Sequence, residues 1–414
     1  MSEDLKIYGP FRQLVTMQGL PYRGPIKDHQ LRILRDAGVL IQGEAIRAIS
    51  SFATLRSEHP SATIHQFDQP VIGLPGLIDS HTHICFAGSR AADYALRNAG
   101  TSYLEIARQG GGIWDTVQKT RAASEKDLSQ ATISRAQALM QRGITTVEVK
   151  SGYGLSVDQE LKMLRAIRLA RQHVPVDIVS TCLAAHLKPR DFEGTSENYL
   201  NFILSDLLPV VKAERLASRI DAFVEESAFS AREIKSYFQR ARDMGFDITV
   251  HADQFTTGGS QVAVDLATVS ADHLEASTEK EIELLAKSDV IATALPGASL
   301  GLGVSFTPAR RILDAGGRLA IASDWNPGSA PMGDLLTQAS VLGAFEKLSN
   351  AEVLAGVTYR AAQALSMENH SGSLEKGKLA DIAVFATDDY REITYHQGQL
   401  CPVEVIKKGK LVNK

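Results

Sequence analysis

The sequence is short of several things, and each shortage excludes a class of protein. Only three of its 414 residues are cysteines, Cys85, Cys182 and Cys401. An odd number, widely spaced, is no disulfide framework and fits a reducing compartment, the cytoplasm. Charge of one sign is lacking too: 44 Lys+Arg face 48 Asp+Glu, a formal net charge of -4. Without a basic excess, neither nucleic acid nor an anionic membrane surface is an expected partner. No apolar run reaches the ~18 residues of a membrane span. The opening MSEDLKIYGP has no basic flank followed by an apolar stretch, so no signal peptide is expected. No G-x-G-x-x-G opens a helix after a first strand, which leaves a dinucleotide site unsupported. Internal repeats and low-complexity tracts are absent. What is there is a chain with 44% hydrophobic residues, long enough for a large core, and 11 histidines whose placement becomes the question.

The two ends read alike. Runs such as VLIQGEAIRAIS (39–50) and ATIHQFDQPVIGLPG (62–76) are broken by Gly, Asp and Pro, as in a small antiparallel unit. GSLEKGKLADIAVF (372–385) and CPVEVIKKGKLVNK (401–414) show period-2 strands joined by Gly-Lys turns. Each end alone is too small to bury a core. The expectation is one small β-sandwich domain made of residues 1–74 and 372–414. Between them, 75–371 alternates strand and helix. Candidate strands are 77–84, 145–151, 177–186, 221–227, 247–253, 268–274, 290–297 and 318–324. Helical spacing fills the gaps, as in SEKDLSQATISRAQALMQRG, which opens on a Ser cap and stops at Gly143. Eight apolar strands alternating with helices are the arithmetic of an α/β fold of the (β/α)8, TIM-like kind, with strands buried on both faces. A doubly wound open sheet is the competitor.

Active sites of such barrels lie at the C-terminal ends of the strands. Seven of the eight candidates end in polar residues: His81 and His83; Lys150; His186; Glu225 and Glu226; His251 and Asp253; Asp272 and His273; Asp324. That common end points to one cavity. His29, His59, His65, His173, His370 and His396 fall elsewhere and need no special role. In His81-Thr82-His83 the i and i+2 side chains share a face about 7 Å apart, so both imidazoles can address one ion. The bland alternative is a pair of satisfied strand-end histidines. With His251 on the fifth strand and Asp324 on the eighth, the neighbour of the first on closure, the set becomes a nitrogen-and-oxygen site for Zn2+ or Fe2+. Such an ion lowers the pKa of bound water from about 15.7 to near 7, and Asp324 could accept the proton. Hydrolysis or deamination at an sp2 carbon follows, without a substrate. Cys85 reads as a small buried apolar residue.

At this point a resemblance adds to the residues. PGLIDSHTH (75–83) with strand-end histidines and a late Asp looks like the amidohydrolase superfamily. HTHICFAGSRAADYALR (81–97), SYLEIARQGGGIWDTVQKTR (102–121), VEVKSGYGL (147–155), HADQF (251–255), SADHL (270–274), LPGAS (295–299) and SDWNPGSAPMGDLL (323–336) resemble the imidazolonepropionase family. The resemblance implies metal-dependent opening of 4-imidazolone-5-propanoate to N-formimidoyl-L-glutamate in histidine degradation, by a cytoplasmic homodimer. It implies one Zn2+ or Fe ion per subunit on His81, His83, His251 and Asp324. It makes Asp324 the general base, and gives Arg90, Tyr153, His186, Asn326, Gly328 and Ser329 to substrate or product. Gln254 stands where other members carry Glu or Gln; having no titratable proton, it is expected to hydrogen-bond. His273 is expected to orient water or the ring carbonyl.

These residues also make sense on their own. Arg90 can pair bidentately with the substrate's propionate; otherwise it is a loop arginine facing some surface acid. Tyr153, between Gly152 and Gly154, is expected in a flexible loop from which its hydroxyl reaches ligand, or else is a half-buried aromatic. A neutral His186 is expected to donate to the ring oxygen; otherwise it is a core histidine bonded to backbone. Gly110-Gly111-Gly112, with no Lys-Ser/Thr following, reads as room for a loop over the site rather than a phosphate cradle. Two-metal relatives use a lysine at the end of the fourth strand; here Lys150 ends the second, so one ion is expected. The rivals are a purine or guanidine-like ring deaminase, which would want Glu at 254, and a non-catalytic barrel, which would have lost ligands.

Overall fold

The computed structural model describes residues 5–412 except 102 and 109, and of 103, 104 and 107 the backbone only. The outermost residues of the expected terminal unit (1–4, 413–414) and two positions of the 102–121 segment therefore lie outside the described residues. Eight parallel strands follow one another in chain order, each hydrogen-bonded to the next. They are Leu77–Asp79, Ile144–Lys150, Asp177–Ala185, Arg219–Val224, Asp247–Ala252, Ser270–His273, Ile291–Ala294 and Arg318–Ile321. All eight expected strands are present, and most stop earlier than the apolar runs suggest. Several runs end where the backbone turns left-handed: Asp253 (φ 51), His273 (φ 88), Leu274 (φ 72) and Asp324 (φ 53). Such a φ breaks the ladder.

The ring closes between the first and eighth strands, just past their regular parts. Thr82 bridges Trp325 in parallel, the Asp324 amide donates to the His81 carbonyl at 3.0 Å, and the His83 amide to the Trp325 carbonyl at 3.0 Å. Asp79 completes the seam by accepting from the Ser323 amide at 2.9 Å. The chain therefore carries the two histidines of the first strand and Asp324 of the eighth on adjacent backbone.

The barrel interior departs from the expectation of uniformly apolar strands. On the second strand, Val147 and Val149 face outward into the main apolar cluster with Leu139, Met163 and Ile167. The alternate residues Glu148 and Lys150 are fully buried with Arg219, Asp221 and Asp272 of the fourth and sixth strands. Alternate strands of a closed barrel contribute to one interior layer, and here that layer is charged but paired, which is what permits its burial. Helices Glu125–Gln141, capped by the Ser124 side chain, and Val157–Arg171 cover the outside as the spacing predicts.

Two further sheets come from the chain ends, the first from the N-terminal part alone and the second from both. One pairs Ala45–Ser51, Ala37–Gln42, Leu5–Phe11 and Thr63–Gln66; the other pairs Lys410–Leu411, Glu404–Lys407, Ile382–Phe385, Ile72–Pro75, Gln13–Val15 and Ile33–Leu34. Phe11, Val39 and Ile41 from the N-terminal part bury against Ile382, Val384 and Ile406 from the C-terminal part. The run 372–385 is mostly loop, its strand limited to four residues. No helix among the described residues is long and apolar enough to cross a membrane.

Candidate active site

Three imidazoles meet at the C-terminal mouth of the barrel. His83 Nε2 lies 3.2 Å from His81 Nε2 and 3.3 Å from His251 Nε2. Asp324 Oδ1 lies 3.4 Å from His83 Nε2 and 3.6 Å from His81 Nε2. Ligands about 2.0–2.1 Å from one ion in tetrahedral array stand about 3.3–3.4 Å apart, so these spacings are those of a ligand shell. The carboxylates behind the rings set the sense of the array. His81 Nδ1 is 2.7 Å from Asp272 Oδ2, and His251 Nδ1 is 3.0 Å from Asp221 Oδ2. A carboxylate only accepts, so each Nδ1 carries the hydrogen and each Nε2 turns a lone pair inward. Converging lone pairs repel unless a cation lies between them. Burial keeps these rings neutral, pushing His83 down to about 3 and His251 to about 4, the latter against the opposing pull of Asp221. The residues fit a divalent ion.

Below this shell lies Lys150. Its Nζ is 2.7 Å from Glu148 Oε2 and 2.8 Å from Asp221 Oδ2. Burial disfavours its charge, but the surrounding carboxylates outweigh that and raise its pKa. It ends the second strand, as counted, and is engaged beneath the ligands. Four other strand-end residues expected at the cavity also point elsewhere. Asp272 backs His81. Glu225 accepts from the amides of Phe255 (2.9 Å) and Thr256 (3.1 Å), holding the loop after the fifth strand, and Glu226 follows it outside the cavity lining. Asp253 accepts from the Gly258 amide at 2.9 Å and the Ser277 hydroxyl at 2.9 Å. In a strand the side chains alternate, so neighbours at one strand end cannot all face one space.

A cavity of about 260 Å³ opens over the shell, lined among others by His83, His251, His273, Asp324, Arg90, Tyr153, His186, Gln254, Asn326 and Ser329. Asn326 donates from Nδ2 to Asp324 Oδ2 at 2.9 Å, and its Oδ1 accepts the amides of Gly328 (2.7 Å) and Ser329 (2.8 Å). Its side chain shapes the 324–329 turn and aims Asp324. Gly328 does not line the cavity; a Cβ there would stand 2.1 Å from Arg90 Nη1, so it makes room for that guanidinium. Arg90 itself is buried, with Nε donating to Asp93 Oδ2 at 2.8 Å. The same oxygen accepts from the Gly112 amide at 2.8 Å, and a Cβ on Gly111 would meet Asp93 Oδ1 at 2.6 Å. The glycine run thus wraps Asp93.

Two expectations need correction. The Gly152-Tyr153-Gly154 loop is not free: the buried Glu160 carboxylate accepts the amides of Gly152 (3.1 Å), Gly154 (2.7 Å) and Leu155 (2.8 Å), and Tyr153 is buried with its ring 5.7 Å from that of His186. His186 Nδ1 faces the Gly152 carbonyl at 3.0 Å. A carbonyl accepts only, so the ring, held neutral by burial at about 3, presents Nε2 as an acceptor and cannot donate to a ring oxygen. His273 is the opposite case. Burial opposes its charge, but Glu275 at 3.3 Å from Nδ1, and then Asp324, raise its pKa.

Reading the sequence missed Arg97 and Arg190, which also line the cavity. Arg97 Nη2 donates to the Gly301 and Gly328 carbonyls at 3.2 Å, and Arg190 stacks 5.7 Å from the Trp114 ring. Because Arg90 is paired with Asp93, they supply cationic character that Arg90 alone does not. Arg97 lies two helical turns past Arg90, a spacing that returns to the same helix face and was the available signal.

Residues 72–412 match the Amidohydrolase family. Imidazolonepropionase from Bdellovibrio bacteriovorus is 40% identical over 404 residues, 96% of this chain and 94% of its own. That of Symbiobacterium thermophilum is 40% identical over 426 residues, 99% of this chain and 97% of its own. Among solved structures, a mutant of atrazine chlorohydrolase from Arthrobacter aurescens complexed with zinc and atraton has a TM-score of 0.71 over 99% of this chain and 95% of that one; at 18% identity it speaks to the fold alone. With a family match across the barrel and relatives alike from end to end, this chain belongs to the amidohydrolase family and, within it, to the imidazolonepropionases.

Proposed function

We propose that this enzyme hydrolyses the cyclic amide of 4-imidazolone-5-propanoate to N-formimidoyl-L-glutamate, a step of histidine degradation, with one Zn2+ or Fe ion held by His81, His83, His251 and Asp324. The observation that carries the site is the convergence of three lone-pair-bearing Nε2 atoms and one carboxylate oxygen at the spacings of a ligand shell. The ring and its propionate come from the family. When bound, the ion supplies a Lewis acid for the ring carbonyl and acidifies the water beside it.

The chain's own residues do the rest. Asp324, with Oδ2 held by Asn326, removes a proton from the attacking water and later returns it to the ring nitrogen. The water oxygen bonds to the ring carbonyl carbon, the bond from that carbon to nitrogen breaks, and a second carboxylate appears on the product. His273, favoured in its protonated form by Glu275, donates to the developing oxyanion. His186 accepts from a ring N–H. Arg90 takes the propionate on its terminal nitrogens, since Nε is committed to Asp93. Tyr153, Gln254 and Ser329 border the ring with hydrogen-bonding groups, and Gly328 keeps Arg90 in place. A deaminase is disfavoured because Gln254 has no acidic proton to give a ring.

A cytoplasmic homodimer belongs to the same proposal, supported by the family and by three free thiols. The test is spectrophotometric: imidazolone propionate loses its absorbance with metal-loaded protein and keeps it with chelated protein. Equal loss in both would defeat the metal-dependent reading.

A further inference from the structure

The charged layer beneath the ligands has no part in the chemistry above, yet it touches both histidines that a carboxylate orients. Asp221 Oδ2 lies between two nitrogens, 2.8 Å from Lys150 Nζ and 3.0 Å from His251 Nδ1. Asp272 Oδ2 takes His81 Nδ1 at 2.7 Å and Thr249 Oγ1 at 3.2 Å, with Lys150 Nζ 3.9 Å away. Among the described residues Lys150 is thus the one lysine or arginine within 4 Å of both backing carboxylates. It is fully buried, as are Glu148 and Asp221, and Asp272 is 1% exposed. Glu148 is shared with Arg219, whose Nε is 3.4 Å from Oε1. Three carboxylates therefore face two cations where water does not screen them, and without Lys150 a single arginine would remain at the far side of the cluster.

We propose that Lys150 is a positioning residue for the metal centre: its ammonium, 2.8 Å from Asp221 and 3.9 Å from Asp272, holds both carboxylates in place behind His251 and His81, so that these rings keep Nδ1 outward and present Nε2 to the ion. The inference rests on the ligand set proposed above. With the ammonium gone, three buried carboxylates would face one another and move apart, and the imidazoles they back would move with them.

The experiment measures zinc affinity of the metal-stripped, full-length chain by competition with a chromogenic chelator. Lys150→Met keeps the stem and removes the charge, and is expected to weaken zinc binding about 10–100-fold. The double variant Lys150→Met/Glu148→Gln removes one charge of each sign and is expected to recover most of that affinity. Unchanged affinity in Lys150→Met, or equal weakening in the double variant, overturns the proposal. Thermal unfolding of the metal-free variants separates a purely structural role, which lowers the midpoint and leaves zinc affinity alone. A readout independent of folding defects uses the wild type: nitrogen-15 histidine spectra of the zinc-loaded protein should show His81 and His251 protonated at Nδ1 and ligated through Nε2. Ligation through Nδ1 overturns the proposal even if no variant folds. Wild-type protein that binds no zinc would instead sink the ligand set itself.

Discussion

Arg90→Ala gives the most quantitative test of how substrate is held. The side chain is 6% exposed and that of its partner Asp93 10%, so the pair is hardly screened by solvent. With Nε bonded to Asp93, the terminal nitrogens can offer two charge-assisted bonds to the propionate. At about 1.5–3 kcal/mol each, their loss amounts to at least about 3 kcal/mol, or more than a hundredfold in kcat/KM. A second effect adds to it. Asp93 stays behind, facing an incoming carboxylate; at roughly 6 Å and an effective dielectric near 20 the repulsion is about 3 kcal/mol. That is an upper figure, because water entering the space the arginine leaves would screen the charge. Arg90→Ala/Asp93→Ala should therefore be better than Arg90→Ala alone, by about tenfold. The ion pair exists in ground and transition states alike, so steady-state kinetics should place the loss in KM and leave kcat near wild type. A substrate amidated at the propionate should not distinguish wild type from variant. A large fall in kcat at unchanged KM, or a double variant as poor as the single, would refute this reasoning.

The other perturbations act on neighbouring parts of the same site. Gly328→Ala puts a methyl 2.1 Å from Arg90 Nη1; KM should rise about tenfold while thermal stability barely moves, and an unaltered KM would contradict the close packing. Asp324→Asn keeps the side-chain shape and tolerates the left-handed backbone there (φ 53), so the protein should fold while turnover falls by about a thousandfold or more; retained activity would remove Asp324 as base. Glu160→Gln replaces an acceptor of three amides with one that also donates, and should raise the mobility of the 152–155 loop, read by hydrogen exchange at those amides. Chelation should abolish activity and lower the melting temperature, and Zn2+ or Fe2+ should restore both; recovery with neither would contradict the ligand set.

Strands such as Ile291–Ala294 and Arg318–Ile321 were legible because their apolar residues run on with no charged residue between them, and such runs stand out from amphipathic helices. The order of elements and the closing of the ring followed from counting. The candidate ligand cluster was legible for a related reason: a polar residue at the end of a buried run is conspicuous, and His81 and His83 at i and i+2 face one way. Direction was harder. Asp272 and His273 are adjacent in sequence, yet one backs His81 from below and the other lines the cavity, a difference set by strand alternation relative to a register the sequence does not state. The donor sense of His186 depends on the Gly152 carbonyl, 34 residues away in the chain, and the rigidity of Tyr153 on a helical glutamate six to eight residues downstream. Charges inside the barrel were the largest surprise. Glu148 and Lys150 alternate with Val147 and Val149 as on a half-exposed strand, and only the pairing with Asp221 and Arg219 across the barrel shows why they are buried.

The central claim is that water opens the imidazolone ring at this centre. Reaction of metal-loaded protein with imidazolone propionate in oxygen-18 water, followed by mass spectrometry and an ammonia assay, tests it most directly. The account predicts N-formimidoyl-glutamate carrying one heavy oxygen in its new carboxylate and no ammonia. Ammonia release, or a product without the label, would contradict it.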